Sequence, residues 1–182
     1  SVTNYLGGKP VFVGLKEKLG FQPDINEVRE AITDKTVMMV INTPSNPTGG
    51  VFDHETLEAL AQIAIEHDLW VISDEIYDNI VFEGKHQSIT SFPGMADRCI
   101  LLNGASKTFA MTGWRMGWSV TKNKHMKHAI ERLQINDVSC PAAMNQLAVL
   151  EAVSSPKTFV EVEKMAAEYK RKRDLITELV ND

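Results

Sequence analysis

The chain is poor in cysteine, with two in 182 residues. Cys99 lies inside an apolar run and Cys140 stands far from it, just before Pro141, so neither a disulfide framework nor the spacing of a metal site is present. Long apolar runs are also missing. None approaches the roughly 18 residues that a membrane-spanning helix needs, and no charged-then-apolar signal segment opens the chain. There is no excess of basic residues. The net charge is −5 with both signs interspersed, which argues against a nucleic-acid partner or an anionic membrane surface. The one basic cluster, Lys170-Arg171-Lys172-Arg173, is flanked by Glu168 and Asp174 in a helical stretch and reads as a solvated helix face. Neither a P-loop nor Gly-x-Gly-x-x-Gly occurs, and Pro47 disqualifies Asn46-Pro47-Thr48 as a glycosylation acceptor. Two faint signals carry no chemistry. Ser154-Ser155-Pro156-Lys157 reads as a helix start, and His125 with His128 has no third ligand. These absences leave a reducing, cytoplasmic setting as the expectation.

What remains is ordinary globular composition, 43% apolar with seven prolines and eleven glycines, enough for one sizeable core. Short apolar runs at Val11 to Leu15, Val37 to Ile41, Leu69 to Ile72, Cys99 to Leu102 and Trp118 to Val120 predict strands. They are continuous rather than alternating, as in strands covered on both faces. Asp53 is placed to cap a helix carrying Leu57, Leu60, Ala61, Ala64 and Ile65 on one face. Further helices are expected over Lys124 to Ile135 and Pro141 to Val153. A long last helix from about Thr158 to the end carries Val162, Met165, Ala166, Tyr169, Ile176 and Leu179 on one stripe, without a stop signal. Strand, helix, strand implies an α/β fold with a largely parallel sheet.

In open α/β sheets, ligands bind beyond the carboxyl ends of the strands, and three such ends carry unusual residues. Val37 to Ile41 is followed by Asn42-Thr43-Pro44-Ser45-Asn46-Pro47-Thr48-Gly49-Gly50, Trp70 to Ser73 by Asp74-Glu75-Ile76-Tyr77, and Cys99 to Leu102 by Asn103-Gly104-Ala105-Ser106-Lys107. Each alone has a plain reading as a turn or a helix cap. Together they supply what a pyridoxal phosphate site needs. Lys107 is an amine on a rigid base, suited to a Schiff base with the aldehyde. Asp74 is an anion for the pyridine nitrogen. Tyr77, from a first helical turn, and Asn46 are donors for the ring hydroxyl. Arg115 is a planar fork for phosphate.

Pro44-Ser45-Asn46-Pro47-Thr48-Gly49, Asp74-Glu75-Ile76-Tyr77, and Ser106-Lys107 followed by Arg115 and Gly117 resemble the fold type I aminotransferases of class I/II. The bacterial aspartate and aromatic enzymes are the nearest in kind. These motifs run from Asn42 to Gly117, and a weaker likeness extends over nearly the whole chain, including Gly7-Gly8-Lys9-Pro10-Val11. The resemblance implies a three-layer α/β sandwich with a mixed, mostly parallel sheet. It also implies pyridoxal 5'-phosphate as cofactor and amino-group transfer between an L-amino acid and a 2-oxo acid. Lys107 is then the Schiff-base lysine and proton shuttle, and Asp74 the partner of the pyridine nitrogen. Tyr77 and Asn46 contact the ring hydroxyl, while Ser106 and Arg115 belong to the phosphate-binding segment. A homodimer is implied for the parent enzyme, and neither nucleic acid nor membrane is expected as a partner.

Two departures accompany the resemblance. Many relatives place a phosphate-binding serine three positions before the lysine, where this chain has Gly104. Relatives are also much longer, with a phosphate turn and a ring-stacking aromatic upstream and a substrate-binding arginine downstream. This chain therefore reads as an internal fragment: residues 1–153 as part of the cofactor-binding large domain, and residues 154–182 as a helix leading toward a small C-terminal domain. On that reading the parent transfers amino groups and the fragment does not turn over. A carbon–sulfur β-lyase of the same fold, a non-catalytic regulatory module and a purely structural, weakly cofactor-binding fragment are the alternatives.

Overall fold

The computed structural model of the chain describes residues 2–181. Its centre is a four-stranded sheet in the order β3 (Met38–Asn42), β4 (Trp70–Asp74), β5 (Cys99–Gly104) and β6 (Gly117–Val120). The first three strands run parallel and β6 is antiparallel to β5, giving the mixed, mostly parallel sheet expected from the sequence. The parallel connections are long, as they must be when each strand restarts at the same end of the sheet. The first runs through α3 (His54–Glu66) and the second is largely irregular.

Helix α3 forms where the sequence places it. The Asp53 carboxylate accepts the Thr56 amide at 2.8 Å, satisfying one of the free donors of the first turn. Its buried stripe of Leu57, Leu60, Ala61, Ile63 and Ala64 packs with Ile41, Leu69, Val71, Cys99, Phe92 and Met95 in one core, Ile63 taking the place expected of Ile65, which is exposed at the edge of the stripe. A shorter helix, α2 (Ile25–Ala31), was not anticipated. It is capped by Asp24 through the Asn26 amide at 2.9 Å and contributes Val28 to the same core.

Two expectations need correction. Val11 to Leu15 does not join the main sheet. Only Leu15–Lys16 (β1) pairs, with Gln22–Pro23 (β2), in an antiparallel two-stranded ribbon. Gly20 and Phe21, both at positive φ, turn the chain back within this short span, and the Phe21 amide bonds to the Lys16 carbonyl at 2.9 Å. Nor is every strand covered on both faces by this chain. Met39, Ile41, Val71, Ser73 and Cys99 share the face toward α3; on the opposite face Ile100 of β5 is buried as expected, but Val40 of β3 is 67% exposed, and Met38 and Leu102 are exposed on the same face. An apolar run reads the same in sequence whether or not the chain supplies a second covering layer.

The longer remaining helices are α5 (Lys124–Asp137), α6 (Ala143–Ser154) and α7 (Pro156–Asn181), close to the expected spans. Asn123 caps α5 through the Met126 amide at 3.0 Å. The stripe predicted on α7 is only half used: Val162 is buried, Met165 and Ala166 are half-buried, while Ile176 and Leu179 are exposed. Phe159 in its first turn meets Phe109 edge to face at 6.0 Å. Farther along, Arg173 and Lys170 reach Glu83 at 3.0 and 3.5 Å, surface pairs that contribute little to stability. Among the described residues no helix is long and apolar enough to cross a membrane, and no cluster of three potential metal ligands occurs.

Candidate active site

The carboxyl ends of β3, β4 and β5 lie side by side, so three segments distant in sequence converge. At the end of β3, Asn42 is paired in register with Asp74, and its side-chain amide donates to the Asp74 carbonyl at 3.3 Å. The loop that follows is closed on itself. The Asn46 amide donates to Asn42 Oδ1 at 2.9 Å, the Ser45 amide to the Gly50 carbonyl at 2.9 Å, and the Phe52 amide to the buried Thr43 hydroxyl at 2.9 Å. Gly49, at φ +73°, makes the turn that a side chain would strain. The peptide bonds before Pro44 and Pro47 are both cis. The loop holds Asn46 out from the sheet edge, where its Nδ2 lies 3.3 Å from the Tyr77 hydroxyl.

Asp74 closes β4, half-buried, with Oδ1 accepting the Ile76 amide at 3.3 Å. Residues 76–79 form a turn, not the first turn of a helix as expected, fastened by the Asp78 amide on the Glu75 carbonyl and the Ile80 amide on the Tyr77 carbonyl. A turn suffices to bring the Tyr77 phenol back over the strand end. The third segment leaves β5 at Gly104 and forms the single turn α4 (Ala105–Thr108). The Lys107 ammonium stands 5.5 Å from the centroid of the Tyr77 ring, within cation–π range. Asn46, Tyr77 and Lys107 are thus brought together directly, with Asp74 at the base of the Tyr77 turn.

Ser106 and Arg115 are linked through Thr112, whose hydroxyl donates to the Ser106 carbonyl and whose own carbonyl accepts from Arg115 Nη1, both at 3.0 Å. Arg115 is in the left-handed region at φ 52° and its guanidinium is exposed.

Gly104 has a steric explanation. A Cβ there would lie 3.0 Å from the Met116 carbonyl oxygen, 3.1 Å from Gly117 Cα and 3.3 Å from Ile76 Cδ1. Gly104 and Gly117 are register partners in the antiparallel pair, and the Ala105 amide bonds to the Met116 carbonyl at 3.0 Å. The close backbone approach that fixes the start of the lysine segment would have to widen by a few tenths of an ångström to admit the serine that many relatives carry.

Sequence reasoning missed two polar networks. Glu75 points into the core, with 4% of its side chain exposed. It accepts from the Ser73 and Ser88 hydroxyls at 2.8 Å and pairs with His86 Nε2 at 2.7 Å, the histidine side chain being 8% exposed. His86 Nδ1 is buried and has no partner. The signal was present in part: Glu75 follows Asp74, so strand alternation turns one of the two acids inward, and a buried acid demands partners. Nothing in sequence marked His86. The second network centres on Asp78, which receives Asn103 Nδ2 at 2.9 Å, Thr108 Oγ1 at 3.2 Å and Asn79 Nδ2 at 2.8 Å.

The fold of this chain matches solved aminotransferases. The aromatic aminotransferase from Pyrococcus horikoshii OT3 superposes with a TM-score of 0.91 at 39% identity, over 96% of this chain and 47% of that one. The family model described as aminotransferase class I and II matches residues 1–182, and the chain belongs to that family. Among curated relatives, aromatic-amino-acid aminotransferase 2 of Thermococcus litoralis is 41% identical over 177 residues, 97% of this chain and 45% of that protein. Aspartate aminotransferase of Sulfolobus acidocaldarius is 45% identical over 177 residues, 96% of this chain and 43% of that protein. The chain therefore spans less than half the length of these relatives.

Proposed function

We propose that this chain is the cofactor-binding portion of a pyridoxal phosphate-dependent aminotransferase, and that the whole enzyme moves an amino group between an L-amino acid and a 2-oxo acid. The observation that carries the reading is the convergence of Lys107, Tyr77 and Asn46 at the end of the strand that Asp74 closes. The donor set fits the cofactor: an amine for the aldehyde, a carboxylate for the ring nitrogen, and a phenol and an amide that already share a hydrogen bond for the ring hydroxyl. When bound, pyridoxal phosphate acts as an electron sink for the substrate carbon.

The protein's own contributions follow from position. Lys107 would hold the aldehyde, and its amine would carry a proton to and from the substrate carbon. Asp74 keeps the ring nitrogen protonated, while Tyr77 and Asn46 hold the ring oxygen. Ser106 and Arg115 present the phosphate-binding segment, without a serine at position 104. Residues 1–153 serve as the large domain. Residues 154–182, which include α7, lead toward a further domain, which the half-exposed apolar stripe of α7 would contact. The homodimer and the reducing, cytoplasmic setting belong to the same reading, as does a chain that does not turn over by itself. The names of the relatives span aromatic amino acids and aspartate, so the substrate side chain stays open.

The test is to add pyridoxal phosphate to the purified chain, reduce with borohydride and locate the modified peptide by mass spectrometry. Label is expected on Lys107, and Lys107→Ala should abolish it together with the cofactor's visible absorbance band. Label scattered over surface lysines would overturn the assignment of the site, and robust transaminase turnover by this chain would overturn its proposed inactivity.

A further inference from the structure

We infer that Asp78 is a positioning residue that fixes Lys107 relative to Tyr77, an assignment that rests on the cofactor reading above. Asp78 sits immediately after Tyr77 in the turn that leaves β4, and its carboxylate is half-buried. One oxygen receives the side-chain amide of Asn103, in β5, at 2.9 Å. The other receives the hydroxyl of Thr108, the residue after Lys107, at 3.2 Å, and the Asn79 amide at 2.8 Å. One side chain therefore ties the Tyr77 turn to both ends of the Lys107 segment. Lys107 and Tyr77 themselves meet as ammonium and ring, 5.5 Å apart.

The polarity of this clamp is set by its surroundings. Asn103 Oδ1 accepts the Gly104 amide at 2.7 Å, which fixes the orientation of the Asn103 side chain and points its NH2 at position 78. Position 78 must therefore supply an acceptor, and Thr108, buried with its hydroxyl as the only polar group of its side chain, calls for a second partner there. An ionised carboxylate, acceptor-only on both oxygens, meets both demands. Asparagine meets them in part: its oxygen can face Asn103, while its NH2 faces a Thr108 hydroxyl able to rotate and accept. Alanine meets neither and leaves the buried Thr108 hydroxyl unpaired. Because a misplacement of about 1 Å at a reacting group costs on the order of a hundredfold in rate, loosening this clamp should show at Lys107 before it shows in the fold.

The experiment compares the unsubstituted chain with Asp78→Ala, Asp78→Asn and Thr108→Val, each checked for cooperative thermal unfolding. Each is then labelled with pyridoxal phosphate and borohydride, and the label is quantified lysine by lysine. In the unsubstituted chain the label concentrates on Lys107. In folded Asp78→Ala and Thr108→Val its preference over the exposed Lys127 and Lys164 falls about tenfold, and Asp78→Asn keeps most of it. A role confined to stability would lower the unfolding temperature and leave the distribution of label in the folded chain unchanged. Selective labelling that survives both Asp78→Ala and Thr108→Val overturns the assignment of Asp78 and leaves the cofactor reading standing. Uniform labelling of the unsubstituted chain overturns the cofactor reading, and the assignment with it. If Asp78→Ala does not fold, Thr108→Val decides alone: retained preference for Lys107 overturns the inference, and lost preference supports it.

Discussion

Replacing Gly104 by serine restores the residue that the resemblance leads one to expect, and the structure sets a cost on doing so. The new Cβ would meet the Met116 carbonyl oxygen at 3.0 Å and Gly117 Cα at 3.1 Å. Both are backbone atoms at the start of the neighbouring strand and just before it, so neither can swing aside as a side-chain tip does. They must separate by several tenths of an ångström to reach ordinary contact at about 3.5 Å. The shift falls on a segment fixed by β5–β6 pairing and by the Ala105 amide bond to the same Met116 carbonyl. Overpacking of this kind costs about 1–3 kcal/mol. At 2–4 °C per kcal/mol for a chain of this length, the melting temperature should drop by roughly 2 to 12 °C. Gly104→Ala should lose nearly as much, since the penalty lies in the Cβ and not in the hydroxyl. The control is Gly113→Ala, where a Cβ meets nothing within 4 Å and no positive φ is needed; it should be neutral or slightly stabilising. Differential scanning calorimetry on the three variants checks the argument. A Gly104→Ser chain that melts at or above the parent temperature and holds pyridoxal phosphate more tightly would refute it, because the glycine would then be a missing donor and not a steric requirement.

Two other outcomes follow from buried groups away from the cofactor edge. Glu75→Ala removes the acceptor for Ser73, Ser88 and His86 at once and should cost about 3–5 kcal/mol, as breaking a buried pair by deleting one partner does; urea denaturation giving less than about 1 kcal/mol would mean that the network is solvated. Burial holds the Cys99 thiol up at about 12, against an ordinary value of 9.0, with the nearby Glu75 charge adding to the effect, whereas Cys140 is exposed. A thiol reagent at neutral pH should therefore titrate one cysteine in the native chain and two after unfolding. The unfolded thiol releases its proton from about pH 9.0 while the folded one retains it to about 12, so Cys99 makes stability fall as pH rises through that window. Native-state reaction of both thiols would show the core around Cys99 to be open.

Much of this molecule can be read before folding because its signals are local. Asp53 caps α3 through its own third neighbour, and four apolar runs become the four strands in their sequence order. The motifs at three of their ends identify the family, since a parallel sheet delivers consecutive strand ends to one edge. Val11 to Leu15 misled because an apolar run does not say which strand it will meet, and here Gly20 and Phe21 turned it back on its own neighbour. The continuous run of β3 likewise could not tell whether this chain would cover one face or two.

By itself the sequence determined the kinds of chemical group available and the strand ends from which Asn46, Asp74, Tyr77 and Lys107 project. Only the tertiary structure decided how those ends are held. It brought Asn46 within 3.3 Å of a phenol 31 positions away, closed β5 on β6 so tightly that a Cβ at position 104 would crowd the neighbouring backbone, turned Glu75 into the core against His86, and bound the Tyr77 turn to the lysine segment through Asp78. Capping and strand alternation act over a few residues and leave a pattern in the chain. Clearance between backbones and partners for a buried charge depend on what lies opposite in space.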